Sequence, residues 1–463
     1  MINKTLGEIA VMCGGTIMHA QDHEKLIHGV TTDSRHIAAG SLFVPLVGER
    51  FDGHEYAAIV LAEGAGATLW QQDRGVQPDG AVIVVSDTLE ALQLLAKSYL
   101  KDIGCKVVGI TGSNGKTTTK DMVAALLEKT YKVHKTIGNF NNHIGLPLTI
   151  LGMKEDVEIV VLEMGMSGRD EIRKLSSIAQ PDVAIITNIG ESHLLQLGSR
   201  QEIALAKLEI VSGMNPDGLL IYHGDEPLIP QLLVDSTVQK PAGLQTFTFG
   251  LKANNDDYPT GMMFHGKGII FTSHIHQESG LDLPLLGRHN VLNCLAALAV
   301  ARHFSVNEDD IREGLSHLQL TGMRIEQMVT TEGLTVLNDA YNASPTSVKA
   351  AIDVLQSMKG YRRKIAVLGD MLELGEQENE YHAEIGQYIT NDKLDVLYTF
   401  GPLSTYTAVA ARENLPSNVF TFTDKVELIK HLQEMIHPKD IVLVKGSRGM
   451  KLEEVVNALI EKY

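Results

Sequence analysis

Cysteine is scarce in this chain, with three residues in 463, and Cys13, Cys105 and Cys294 lie far apart without metal-ligand spacing. They read as buried free thiols, a usage that suits a reducing cytoplasm. Positive charge is also short: 40 Lys and Arg stand against 57 Asp and Glu, a net charge of −17. That argues against a general nucleic-acid binder and against steering toward anionic membranes, so anionic ligands must be captured by local sites. No stretch approaches the roughly 18 apolar residues of a membrane span. Glu8 interrupts the opening "MINKTLGEIAVMCGG", so neither a signal peptide nor membrane insertion is expected. Short repeats and low-complexity tracts are missing too. What is present is 44% hydrophobic and 21% charged residues, enough for several cores, and at roughly 150 residues per domain the length suggests about three.

The apolar pattern supports an α/β chain. Residues 1–98 mix short strands ("GVTTDSR", "SLFVPLV", "AVIVVS") with helices, ending in "TLEALQLLAKSYLKDIG". Residues 99–317 alternate near-continuous apolar strands ("KVVGIT", "EIVVLE", "DVAIITN", "GLLIYH") with helices, the mark of a parallel sheet covered on both faces. The turn-rich stretch 236–285 reads as an antiparallel edge, and "NVLNCLAALAVARHF" as an apolar helix. Over 318–463 the pattern restarts with "LTVLNDA", "KIAVLGD", "DVLYTFG" and "DIVLVKG", a second, Rossmann-like doubly wound sheet.

"GITGSNGKTTTKDMVAALLE" carries the strongest chemical signal. A strand feeds a glycine turn and then a helix N-terminus, where backbone N–H groups and the helix dipole favour phosphate. Lys116 is placed to reach the β and γ phosphates, and the Thr117 hydroxyl to meet Mg²⁺. Ile110 stands where the usual phosphate-loop motif has its first glycine. Glu163 ends one later strand, and Asn188 and His193 follow another, so all could share the crevice at the strands' carboxyl ends. Glu163 suits Mg²⁺. His193 suits either a second metal position or a structural hydrogen bond. Lys207, on a helix, reads by itself as a solvated lysine. Asn139, Asn141 and Asn142 in "GNFNNHIGLPLT" suit a sugar or peptide ligand, or merely a turn-rich connector.

In their order, "GNFNNHIGLPLT", "EMGMSGRDEI", "TNIGESHL", "GRHNVLNCLAA", "NDAYNASPTSVKAAI", "VLGDMLELG" and "VKGSRGMKLEEVV" resemble the Mur ligase family along the whole chain. The likeness is greatest to the branch that joins D-alanyl-D-alanine to UDP-N-acetylmuramoyl-tripeptide. It implies a small N-terminal domain holding the UDP end through Ser34 and Arg35, a central P-loop ATPase domain, and a C-terminal domain that closes over ATP. Gly112, Ser113, Asn114, Gly115, Lys116, Thr117 and Thr118 would wrap the ATP phosphates. Thr117 and Glu163 would hold one Mg²⁺ and His193 a second, with Lys207 carrying a carbamate. Asn290 would approach the adenine, and Arg324 and Asp339 would reach ATP from the C-terminal side. Tyr341, Asn342 and Asp370 would lie near the dipeptide. Ser344 and Leu208 depart from the family pattern, where asparagine and glycine are expected.

The resemblance implies a cytoplasmic, monomeric enzyme that activates a carboxylate as an acyl phosphate. Folylpolyglutamate synthase, a relative using the same chemistry, would not be expected to carry the asparagine loop or "LGDMLELG". The ligase adding the third amino acid shows a "DNPR"-like signature, absent here. A nucleotide-dependent switch, needing no acceptor, is the alternative of another class.

Overall fold

The computed structural model describes residues 1–277 and 280–463. Its three α/β domains are each built on their own sheet. In the first, Val30–Thr31, Leu42–Phe43, Ala67–Gln71 and Val82–Val85 run parallel, and Thr16–Ile17 closes one edge antiparallel. "GVTTDSR" pairs only at Val30–Thr31, because Thr31, Asp33 and Arg35 then fold into a hydrogen-bonded turn. The helix Thr88–Ile103 starts on an Asp87 cap and ends at Gly104 in the left-handed region. It runs unbroken through the expected 98/99 boundary. Leu92, Leu95, Ala96 and Tyr99 share one apolar core with Leu146, Ile150 and Leu151 of the next domain. Cys13 and Cys294 are buried free thiols as expected, whereas Cys105 is only half-buried.

The second domain holds six parallel strands in the order Gln245–Phe249, Leu219–His223, Val183–Ile186, Lys106–Thr111, Ile159–Glu163, Val133–Lys135. The central strands are apolar throughout because both faces are covered. Helices Lys116–Leu127 and Arg288–His303 pack together on one face. The 236–285 stretch departs from the single antiparallel edge expected of it. Gln245–Phe249 joins the main sheet in parallel, and only Pro259–His265, Gly268–Ser273 and Leu281–Leu283 form a separate antiparallel sheet. In the third domain, parallel strands Thr335–Asp339, Ile441–Lys445, Lys364–Gly369, Val396–Phe400 and Val419–Phe422 are flanked by the antiparallel Glu326–Val329. Apolar clusters fill both of its faces. The carboxyl ends of Lys106–Thr111, Ile159–Glu163 and Val183–Ile186 open toward the third domain, which positions the site.

Candidate active site

The turn after Thr111 requires glycine at two places. Gly112 has φ +147° and Gly115 φ +81°. A Cβ on Gly112 would lie 1.8 Å from Thr187 Oγ1, and one on Gly115 would lie 2.6 Å from Asn293 Oδ1. "TNIG" supports the turn from beneath. Asn114 N–H donates to Asn188 Oδ1 at 3.0 Å, and Thr187 Oγ1 and Asn188 Nδ2 donate to Asn114 O at 2.6 and 3.0 Å. Gly190 N–H donates to Ser113 Oγ at 2.8 Å. Thr118 is buried in the first turn of the helix that begins at Lys116. Lys116 Nζ donates back to Gly112 O at 2.8 Å, so the ammonium lies across the turn. Desolvation lowers its pKa and nearby Arg324 adds to this, while Glu163 opposes it.

Thr117 is the meeting point of two domains. Its hydroxyl donates to Glu163 Oε2 at 2.9 Å and accepts from Arg324 Nη2 at 3.1 Å. Asn141 Nδ2 donates to Glu163 Oε1 at 2.8 Å, and the Glu163 N–H donates to Thr136 Oγ1 at 3.0 Å. The Arg324 guanidinium lies 4.2 Å from the centre of the Tyr341 ring. Met323 (φ +62°) and Ile325 (φ +52°) flank it in the left-handed region, a strain of about 1–3 kcal/mol each. His193 also has positive φ, at +65°, and its Nδ1 lies 2.8 Å from Glu373 Oε2 across the domain boundary. Burial lowers the His193 pKa; Glu373 opposes this, and Lys116 and Lys207 reinforce it.

Lys207 is not the solvated lysine that its helix suggests. Only 2% of it is exposed, and its Nζ has no hydrogen-bond or ion-pair partner among the described residues. Burial, helped by Lys116, drives its pKa well below the ordinary lysine value. The groups near Thr117 suit a hard cation whose remaining ligands come from a nucleotide. Among the described residues, no cluster of three His, Cys, Asp or Glu could hold a metal unaided. Mg²⁺ characteristically takes one or two protein carboxylates plus phosphate oxygens and water.

The remaining residues divide. Asn290 is buried, donating to Leu286 O at 2.8 Å and accepting from Asn293 at 3.1 Å. Asp339 Oδ2 accepts from Lys445 Nζ at 2.6 Å, and the same ammonium donates to Asn342 O at 2.9 Å. Ser344 caps the helix Pro345–Ser357, and its hydroxyl also donates to Asn114 Oδ1 of the phosphate turn at 3.2 Å. The family departure at this position therefore still supplies an inter-domain contact. Asp370 is sealed in: Ser404 N–H and Oγ donate to its Oδ1 at 2.7 and 2.6 Å. Asn142 Oδ1 accepts from Ile144 and Gly145 at the start of a helix, and Asn139 is exposed. Arg35 makes a two-pronged ion pair with Asp33, at 2.8 and 2.9 Å. Ser34 sits half-buried in that N-terminal turn. Sequence reasoning passed over Thr136, Thr187, Asn293, Glu373 and Lys445. Only Thr187 had a signal, the "TN" ending its strand.

Two cavities lie beside the Arg324–Tyr341 pair, Tyr341 lining the first and Arg324 the second. One of about 250 Å³ is lined by His193, Tyr341, Ser344, Leu372, Glu373 and Arg448, among others. The other, about 320 Å³, lies between Leu285–Leu286 and the inter-domain segment that includes Thr321 and Arg324.

Comparison with known proteins gives matches along most of the chain. Residues 26–100 match the Mur ligase family, catalytic domain; residues 110–301 the Mur ligase middle domain; residues 323–448 the Mur ligase, glutamate ligase domain. The chain is 49% identical to the UDP-N-acetylmuramoyl-tripeptide–D-alanyl-D-alanine ligase of Bacillus subtilis (strain 168), covering 100% of this chain and 99% of that protein. It is similar to the crystal structure of MurF from Acinetobacter baumannii, with TM-score 0.89, 31% identity, and coverage of 100% and 99% of the two chains. It is also similar to MurF ligase from Thermotoga maritima in complex with ADP, with TM-score 0.81, 30% identity, and coverage of 94% and 97%.

Proposed function

The chain belongs to the Mur ligase family, and from that premise we propose that it joins D-alanyl-D-alanine to UDP-N-acetylmuramoyl-tripeptide at the expense of ATP. The observation that carries this reading is that the phosphate turn is hydrogen-bonded to the wall of a cavity lined by residues of the second and third domains. Asn114 of the turn accepts from Ser344, which lines the 250 Å³ cavity together with His193.

A free carboxylate is a poor acyl donor because its leaving group would be oxide. Attack of a carboxylate oxygen on the γ phosphorus forms an acyl phosphate and expels ADP. The dipeptide amine then forms the C–N bond, the C–O bond to phosphate breaks, and the amine gives up its proton as phosphate leaves. Carboxylate and triphosphate repel each other, so Lys116 and the N–H groups of Gly112–Thr118 must offset the charge in the transition state. Arg324, held on Tyr341, brings a further cation from the segment that leads into the third domain. Magnesium, held through Thr117 and Glu163 with His193 at a second position, would supply Lewis-acid charge neutralisation. Lys207, buried without a counter-charge, is suited to react as a neutral amine with CO₂; the carbamate would restore an anionic oxygen ligand where the lysine alone offers none.

Asn290 and Asp339 are the candidates for the nucleoside end. Tyr341 and Asn342 are candidates for the dipeptide, with Asp370 acting through its cap. Ser34 and Arg35 are candidates for the UDP end, and Asn139, Asn141 and Asn142 for the muramoyl peptide. Exclusion of water protects the acyl phosphate, and the inter-domain contacts at Thr117, Asn114 and His193 support that role. No helix among the described residues is long and apolar enough to cross a membrane; with three free thiols, a cytoplasmic monomer is the reading we favour. The test is ADP release, which should require the UDP-linked tripeptide and the dipeptide together. One ¹⁸O from the tripeptide's terminal carboxylate should appear in the released phosphate. ADP release without either acceptor would favour a switch, and unlabelled phosphate during productive turnover would overturn the acyl-phosphate route.

A further inference from the structure

The helix that begins at the phosphate turn has a second inter-domain contact, one turn beyond Thr117. Asp121 is 2% exposed, and its Oδ2 accepts both the N–H and the hydroxyl of Thr321, each at 2.9 Å. Thr321 belongs to the segment joining the second and third domains, just before Arg324. On a helix, side chains at i and i+4 share a face. The helix therefore presents Thr117 and Asp121 together: Thr117 to Arg324 and Asp121 to Thr321. The segment is fastened at both points, and the strained residues Met323 and Ile325 lie between or beside them.

The Asp121 carboxylate is itself held in place. Its Oδ1 lies 3.1 Å from Lys135 Nζ and 3.3 Å from the buried Lys120 Nζ. Burial alone would raise its pKa, but Lys120, the Thr321 N–H and Lys135 outweigh it and hold the group below the usual carboxylate range. A charged acceptor with two donors from one residue is a strong, directional anchor. Asp121 lines neither of these two cavities, whereas the Thr321 it holds lines one of them.

We propose that Asp121 is a positioning residue that, through Thr321, fixes the inter-domain segment in the strained conformation that delivers Arg324 to Thr117 and the nucleotide phosphates. The strain explains why an anchor is needed. Released from Asp121, the segment relaxes from its left-handed conformations and the Arg324 guanidinium withdraws from the phosphate turn. This goes beyond the ligase reading and rests only on the turn being a nucleotide site.

A double-mutant cycle tests it with a readout that needs no acceptor: calorimetric affinity for a non-hydrolysable ATP analogue with Mg²⁺, alongside thermal melting. Thr321→Val keeps the N–H and the shape but removes the hydroxyl, and Asp121→Asn removes the charge. Each should weaken analogue binding by about fivefold or more, the scale of a typical coupling between sites. In an Arg324→Ala background neither should weaken it further, because the residue through which they act is gone. Additive losses in that background would overturn the proposal and leave Asp121 a stabilising contact only, as would a lowered melting temperature with unchanged affinity. Asp121→Asn also guards against a direct Thr321–nucleotide contact, since Thr321 lines a cavity and Asp121 does not. If the unmodified protein fails to bind the analogue, the nucleotide reading of the turn and this proposal both fall. Binding with an additive cycle defeats the proposal alone.

Discussion

Replacing Lys207 by methionine should make the protein more stable and inactive, a combination that an ordinary buried lysine would not give. The side chain is 2% exposed and without a partner, and burying a polar group in that way costs about 1–3 kcal/mol. Methionine has similar length and no amine to desolvate. The gain should appear as a rise of about 2–4 °C per kcal/mol in the melting of a domain of this size. Its pH dependence has a definite sign. The lysine's folded pKa lies below the ordinary value of 10.5, so the unfolded chain binds the extra proton and folding must release it. The burden on the native protein is greatest at low pH and falls by about 1.36 kcal/mol per unit as pH rises between the folded and the ordinary pKa. The melting-temperature gap between Lys207→Met and the unmodified protein should therefore narrow as the pH approaches 10.5. Turnover should fall by about 10²–10³, the scale for losing one charge-organising group in a phosphoryl or acyl transfer site. Lys207→Ala leaves room near Lys116 and His193, and acetate or propionate should restore part of its ADP release. Bicarbonate depletion should slow the unmodified protein and leave both variants unchanged. Undiminished turnover of Lys207→Met in bicarbonate-free buffer would refute the reasoning, and so would a melting-temperature gap that widens with pH.

Gly115→Ala should lose nucleotide binding by at least tenfold, because its φ of +81° and the 2.6 Å approach to Asn293 Oδ1 leave no place for a methyl group; calorimetry with ADP checks this. Thr117→Val should fold with a loss of about 1 kcal/mol yet lose most ADP release, since one hydroxyl joins Glu163 and Arg324; turnover and urea melts separate the two effects. His382 is 1% exposed, its Nε2 accepts from Met371 N–H at 2.9 Å, and burial lowers its pKa below the ordinary 6.5. Its stabilising contribution is complete above pH 6.5 and is lost as the pH falls through the folded pKa, so His382→Gln should flatten the acid limb of the melting temperature by about one proton's slope.

Much of this protein is determined by local sequence. Strands such as "KVVGIT" and "EIVVLE" are apolar throughout because both faces are covered, and the glycine turn before Lys116 is legible because no other residue tolerates that backbone beside Asn293 and Thr187. That Glu163 and Thr117 meet was likewise legible from their places at the ends of adjacent elements. Tertiary structure decided what depends on the third dimension. Lys207 sits in the last turn of a short helix, where a lysine ordinarily faces water, and only the packed fold makes it buried and partnerless. Asp370 ends a strand like a ligand-binding carboxylate, yet the helix beginning at Ser404 consumes both of its oxygens. Asp121 looks like a surface acid in "KTTTKDM" until Thr321, far along the chain, arrives against it. A period or a turn is written in neighbouring residues, whereas the charge state of a buried amine or the partner of a carboxylate depends on segments that meet only after folding.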